Sequence, residues 1–206
     1  RRDRPRTCGM MPPMTTFDER VDATTIDQLV ARASCKWATF PGAIGAWVAE
    51  MDFGLAEPIA AALRRMDADL MYGYPNQSML TGLRTATADF MASRYGWQVD
   101  PGTVAELSDV LTGLGVVISN YTPADAPIVV LTPCYMPFMT IPPAFASPLI
   151  QVPMAPDGDT WVLDADALAA ALTPGSLLVL ANPFNPPGKV WTPPELGALS
   201  AIVDAA

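Results

Sequence analysis

At 206 residues and 50% hydrophobic content, the chain can bury a sizeable core and is not a disordered polymer. A net charge of −9 argues against nucleic acid or an anionic membrane as partner, and no apolar run approaches the ~20 residues of a membrane span. The chain has no histidine, which removes Ser-His-Asp and Cys-His catalysis and most zinc chemistry. Its three cysteines, Cys8, Cys35 and Cys134, are isolated and have no C-x-x-C spacing, which argues against a zinc site and a disulfide framework.

The basic opening RRDRPRTCGMMPPM has no apolar stretch behind it. It reads as a disordered leader over residues 1–14 rather than a secretory signal, and the expected location is cytoplasmic. Residues 15–50 read as an N-terminal arm with one short helix around Thr25 to Ala33. From residue 51 to 206 the pattern is that of a larger domain. Ile59, Leu63, Met66 and Leu70 recur at helical spacing after Glu57-Pro58, where proline suits a first turn. A second helix runs from about Ser78 to Tyr95 and stops at Gly96. Leu107 to Leu111 reads as a short strand, followed by Thr112-Gly113 and a helix to about Tyr121. Ile128 to Leu131 is rich in β-branched residues and closes at Thr132-Pro133, the pattern of a buried strand. Leu149 to Val152 is a weaker strand. Asp164 caps a helix to about Leu172, and Leu177 to Leu180 is the next strand. Thr192-Pro193-Pro194-Glu195 has the spacing of a capping box and opens the last helix. Strands alternating with helices predict an α/β fold, a mostly parallel sheet with flanking helices behind the N-terminal arm.

After the run Ser176 to Ala181 comes Asn182-Pro183-Phe184-Asn185-Pro186-Pro187-Gly188. A buried strand that opens into a polar Asn-Pro turn at its carboxyl end sits where open α/β sheets hold ligands. Three further stretches accompany it in order. They are Trp47 to Phe53 (WVAEMDF), Tyr72-Gly73-Tyr74, and Thr132 to Phe138 (TPCYMPF). Together these four resemble the class I/II aminotransferase superfamily of pyridoxal 5′-phosphate (PLP) enzymes, fold type I. Within it they look most like the bacterial cystathionine β-lyase and cysteine-S-conjugate β-lyase branch. The resemblance spans residues 20 to 206.

The resemblance implies PLP as cofactor, a homodimer with small amino-acid substrates, and part of a fold type I large domain. It implies that the Asn185 amide donates to the phenolic O3′ of PLP, against the plainer role in which both asparagines shape an Asx-Pro turn. It puts Tyr135 on the face of the pyridine ring, against the plainer role of a packed loop tyrosine. It puts the phosphate on Thr112 and Gly113, where an ordinary βα turn reads equally well. Tyr74 is implied to reach the partner subunit's cofactor phosphate, against an aromatic cluster with Tyr72. Asp52 reads as structural.

No catalytic residue is assigned. The family's Schiff-base lysine sits in a Ser-x-x-Lys segment, and neither Lys36 nor Lys189 has that context. The expectation is an N-terminal half of the family's length, inactive by itself. The expected reaction of the family branch is β-elimination from cystathionine or a cysteine S-conjugate to thiol, pyruvate and ammonia. Alternatives are an aminotransferase of the same superfamily, or a non-catalytic remnant acting by dimerisation.

Overall fold

A computed structural model describes residues 16–206. The leader expected over residues 1–14 lies outside the described residues. The chain packs as two compact units, one ending at Thr81 and one from Gly82 to Ala206.

The first unit holds α1 (Phe17–Asp22), α2 (Ile26–Ala31), α3 (Cys35–Ala38) and α4 (Glu57–Ala68). The expectation of one arm helix needs correction, because α1 and α3 flank it. The cause of α1 is local. Thr16 and Glu19 exchange backbone and side-chain hydrogen bonds in a capping box, as Thr25 and Gln28 do for α2. Arg32, Lys36 and Trp37 then converge on Asp52. Lys36 Nζ donates to the Asp52 carboxylate at 2.6 Å, Trp37 Nε1 at 2.8 Å, and the Arg32 guanidinium to the Asp52 carbonyl at 2.9 Å. In α4 the periodic residues Ile59, Leu63 and Met66 are exposed, and no residue of the helix is buried. Leu70 lies past the helix end with φ 52°, so it does not extend the stripe.

The helix α5 (Gln77–Tyr95) starts in the first unit and ends in the second at Gly96, whose φ of +66° suits glycine. The second unit continues through a 3-10 turn (Pro101–Thr103), α6 (Val110–Tyr121), β1 (Ile128–Thr132) and α7 (Pro137–Ala144). Then come β2 (Leu149–Asp157), β3 (Thr160–Leu163), α8 (Ala165–Ala171), β4 (Leu177–Val179) and α9 (Pro193–Asp204). The sheet order is β3-β2-β1-β4. β1 pairs in parallel with both β2 and β4, with Ile128 opposite Leu149 and Leu177. β3 turns back antiparallel on β2 through Gly158, whose φ is +57°. The architecture is α/β, a mixed, mostly parallel sheet flanked by helices.

The short strand expected at Leu107 to Leu111 is absent. Asp109 instead caps α6, which begins at Val110, because its carboxylate takes the Thr112 N–H. β1 is buried on both faces, the signature of a central parallel strand. On one face Val129 and Leu131 pack with Val152 and Met154 against Leu168 of α8, Leu172 just past its end and Leu199 of α9. Phe184 and Trp191 complete this core. Each such side chain contributes roughly 1.5–3 kcal/mol by leaving water.

Candidate functional site

Parallel pairing makes β1 and β4 run in the same direction, so the loops after them leave from the same edge of the sheet. Pro133, which has no N–H to continue the ladder, ends β1. Tyr135 follows, half exposed, with its ring edge-to-face on Phe138 (centroids 5.6 Å, 87°). Its carbonyl accepts the Phe138 N–H at 2.9 Å as α7 begins. Beside it, burial pushes the Cys134 thiol pKa up, which leaves it a poor nucleophile.

The loop after β4 is held at both ends. Asn182 Oδ1 accepts the Trp191 N–H at 3.3 Å, and Trp191 Nε1 donates to the Ala181 carbonyl at 3.1 Å. Phe184, buried in the core, donates its N–H to the Lys189 carbonyl at 2.7 Å, and the Gly188 N–H donates to the Phe184 carbonyl at 2.6 Å. Gly188 has φ +78°, which a turn this tight demands of glycine. Asn185 occupies the exposed tip. Its side-chain amide has no hydrogen-bond partner among the described residues. Asn182 therefore shapes the loop, whereas the Asn185 amide is unpaired among the described residues. The two asparagines, alike in sequence, do different things.

Thr112 and Gly113 lie inside the first turn of α6, not between a strand and a helix. The Thr112 N–H donates to Asp109 Oδ1 at 2.8 Å and its hydroxyl to Oδ2 at 3.0 Å, while Ser108 Oγ donates to Oδ2 at 2.9 Å. These bonds, led by the Thr112 N–H, hold the Asp109 carboxyl below its ordinary pKa. Thr112 and Asp109 open onto a shallow cleft of about 500 Å³ between α6 and α7, walled by Gly115, Ser119, Ile141 and Phe145. An anion entering this turn competes with a carboxylate already seated on it.

Tyr74 belongs to the first unit. It is fully exposed (101%) and lines a small pocket with Met71, Asn76 and Met79, whereas its neighbour Tyr72 is hydrogen-bonded to Asp67. Neither lysine is a free amine. Lys36 is paired with Asp52, and Lys189, 6% exposed at its side chain, is paired with Glu195 at 2.5 Å. Sequence reading passed over Asp109, the two hydrogen bonds of Trp191 and the second use of Glu195. The Ser-Asp-x-x-Thr cap signal at 108–112 is the one pattern that points to Asp109.

The sequence profile of the aminotransferase class I and II family matches residues 48–206. A cystathionine β-lyase of Corynebacterium glutamicum is 32% identical over 178 residues, which cover 86% of this chain and 46% of that protein. Among solved structures, a proposed PLP-dependent β-cystathionase of Corynebacterium diphtheriae superposes with a TM-score of 0.75 at 30% identity. The match covers 88% of this chain and 47% of that one. An N-succinyldiaminopimelate aminotransferase of Mycobacterium tuberculosis superposes at 0.65 and 26% identity, covering 71% of this chain and 39% of that one. The chain spans about half the length of the curated relatives it matches.

Proposed function

This chain belongs to the class I and II aminotransferase family, whose enzymes use PLP, and from that premise we propose that it carries part of the cofactor site of a carbon–sulfur β-lyase. The substrate class is cystathionine or another cysteine S-conjugate, and the products are thiol, pyruvate and ammonia. The observation that carries the reading is the free Asn185 amide on a loop pinned at both ends, leaving the same sheet edge as Tyr135. This pair fits a planar cofactor with an anionic phenolic oxygen. When bound, PLP supplies an electron sink for charge developing at the substrate Cα. Asn185 would donate to its phenolate oxygen and Tyr135 would offer a ring face. The Thr112-Gly113 turn would hold the phosphate in place of the Asp109 carboxylate, which takes the Thr112 N–H and hydroxyl in this structure. Tyr74, a neutral phenol at full exposure, reaches the partner subunit's phosphate in a homodimer. In a polypeptide that joins this chain to a Ser-x-x-Lys segment, mixed dimers of Tyr74→Ala and a variant lacking that segment's lysine test the role by recovery of activity.

Two tests decide the reading. PLP titration of the 206-residue chain is expected to show binding that Asn185→Ala weakens about tenfold, the scale of one hydrogen bond to a charged group. Unchanged affinity removes Asn185 from the site. The chain alone is expected to release no pyruvate from cystathionine, because both its lysines are ion-paired. A borohydride-trapped adduct on Lys36 or Lys189 together with pyruvate release would overturn this. The second reading, transamination, is favoured by the match to the Mycobacterium aminotransferase. A requirement for a keto acid in any polypeptide that joins this chain to a Ser-x-x-Lys segment would select it.

A further inference from the structure

Lys189 is a long cationic side chain in a surface loop, a residue type that ordinarily keeps its ammonium in water. Here the side chain is only 6% exposed. Its Nζ meets Glu195 Oε1 at 2.5 Å and lies 5.1 Å from the centre of the Trp191 ring. Glu195 also completes the cap of α9, but with its other oxygen. Oε2 accepts the Thr192 N–H at 2.8 Å and the Thr192 hydroxyl at 2.7 Å. Helix capping therefore accounts for Oε2 and leaves the Oε1 contact to Lys189 unexplained. The main chain of Lys189 is one wall of the turn that carries Asn185, since its carbonyl takes the Phe184 N–H. A continuous path runs from α9, anchored in the core by Leu199, through Glu195 and Lys189 to the turn.

We propose that Lys189 is a positioning residue: its ion pair with Glu195 ties the Asn185 turn to α9 and fixes the direction of the Asn185 amide. The assignment of a cofactor to that amide rests on the reading in the preceding section; the brace itself does not. Without the pair, the turn keeps its two backbone hydrogen bonds and the Trp191 contacts at its ends but loses its side-chain tie to the helix. The free amide then samples many directions and must be ordered again at each binding event.

The test has two independent arms. In the first, amide hydrogen exchange is followed in the 206-residue chain. K189M and E195Q are each expected to speed exchange at the Gly188 and Phe184 amides about tenfold. Val129 and Val130 in β1 should be unaffected, and K189R should restore protection. Unchanged exchange in both variants, or an acceleration shared equally by Val129 and Val130, overturns the brace. In the second arm, pyridoxine 5′-phosphate, which has no aldehyde to react with lysine, is titrated into the chain. K189M is expected to raise its Kd about tenfold when Asn185 is present and to change it little in an N185A background. Additive losses mean that Lys189 does not act through Asn185, and overturn the positioning role. If N185A alone leaves the affinity unchanged, or the ligand does not bind, the cofactor reading of Asn185 fails while the exchange arm still decides the brace.

Discussion

The two units of this chain are held in opposite ways. From Gly82 onward, stability comes from burial. β1 is sealed on both faces, and α8, α9, Phe184 and Trp191 close over the sheet. Up to Thr81, the helices are held by polar contacts, namely two capping boxes that are local in sequence and the Lys36–Trp37–Asp52 cluster. Leu29 is the one large hydrophobic side chain buried there among the described residues. The difference shows that regular helices need not mark a core. Caps and propensity set helix position in the first unit, while nonlocal packing sets strand position in the second.

The sharpest break of this comparison is a core truncation. Leu131→Ala in β1 is expected to destabilise the second unit by about 2–5 kcal/mol, read in urea unfolding with amide exchange to localise the loss. A cost below 1 kcal/mol would mean that β1 is not the centre of the fold. Smaller, and confined to the first unit, is Asp52→Asn. It removes the acceptor charge for Lys36 and Trp37, at a cost on the order of 1–2 kcal/mol. Faster proteolysis before residue 81 with unchanged exchange in β1 would bear this out, and equal loss in both units would not.

Acid acts on both units through carboxylates. Lys189, with help from Thr192, holds the Glu195 carboxyl well below its ordinary 4.5, at about 2. Lys36, then Trp37, lowers that of Asp52. A carboxylate with a depressed folded pKa contributes stability that is fully present above its unfolded value. That contribution is lost as pH falls through the folded value. The Glu195 contribution is therefore present above about pH 4.5 and disappears between there and about 2. Carboxyl NMR titration should find its midpoint near the lower figure, and Glu195→Gln should flatten this part of the acid limb. A midpoint at the ordinary value would mean that the Lys189 pair does not form in solution.

The smallest expected effect lies on α4. Ile59→Ser, on a face the structure leaves exposed, should change stability by no more than about 0.5 kcal/mol. A loss of 2 kcal/mol or more would show that this face is covered in solution, and the contrast between the units would then narrow.

Much of the fold was legible because its signals are local. The β-branched run at Ile128, the capping box at Thr192–Glu195 and the stop at Gly96 all appear where their chemistry places them. The misses have local causes too. β3 was announced by Gly158-Asp159, a two-residue hairpin loop between Asp157 and Thr160, which joins antiparallel strands where the alternation of strands and helices predicts parallel ones. α7 carries Pro142 and Pro143 inside it, which sequence rules read as a break, yet it packs on β1 and β2. The strand expected at Leu107 to Leu111 failed because Asp109 offers the backbone a helix cap that outcompetes the extended form. Of the site, the order of motifs along the chain was readable. The hydrogen bond that commits Asn182 to the loop was not, since it depends on where the fold brings the Trp191 main-chain N–H.

By itself, the sequence determined the α/β class, the family and the residue types able to meet a phosphorylated aromatic cofactor, because periodicity, caps and motif order are written along the chain. Only the tertiary structure decided which of those residues are free. Asp109 already occupies the Thr112 turn, both lysines are committed to carboxylates, and Lys189 joins the Asn185 turn to α9. Except for the capping pairs, these facts concern groups brought together by the packing of separate elements, and charge and hydrogen-bond competition is settled by distance in space, not in sequence.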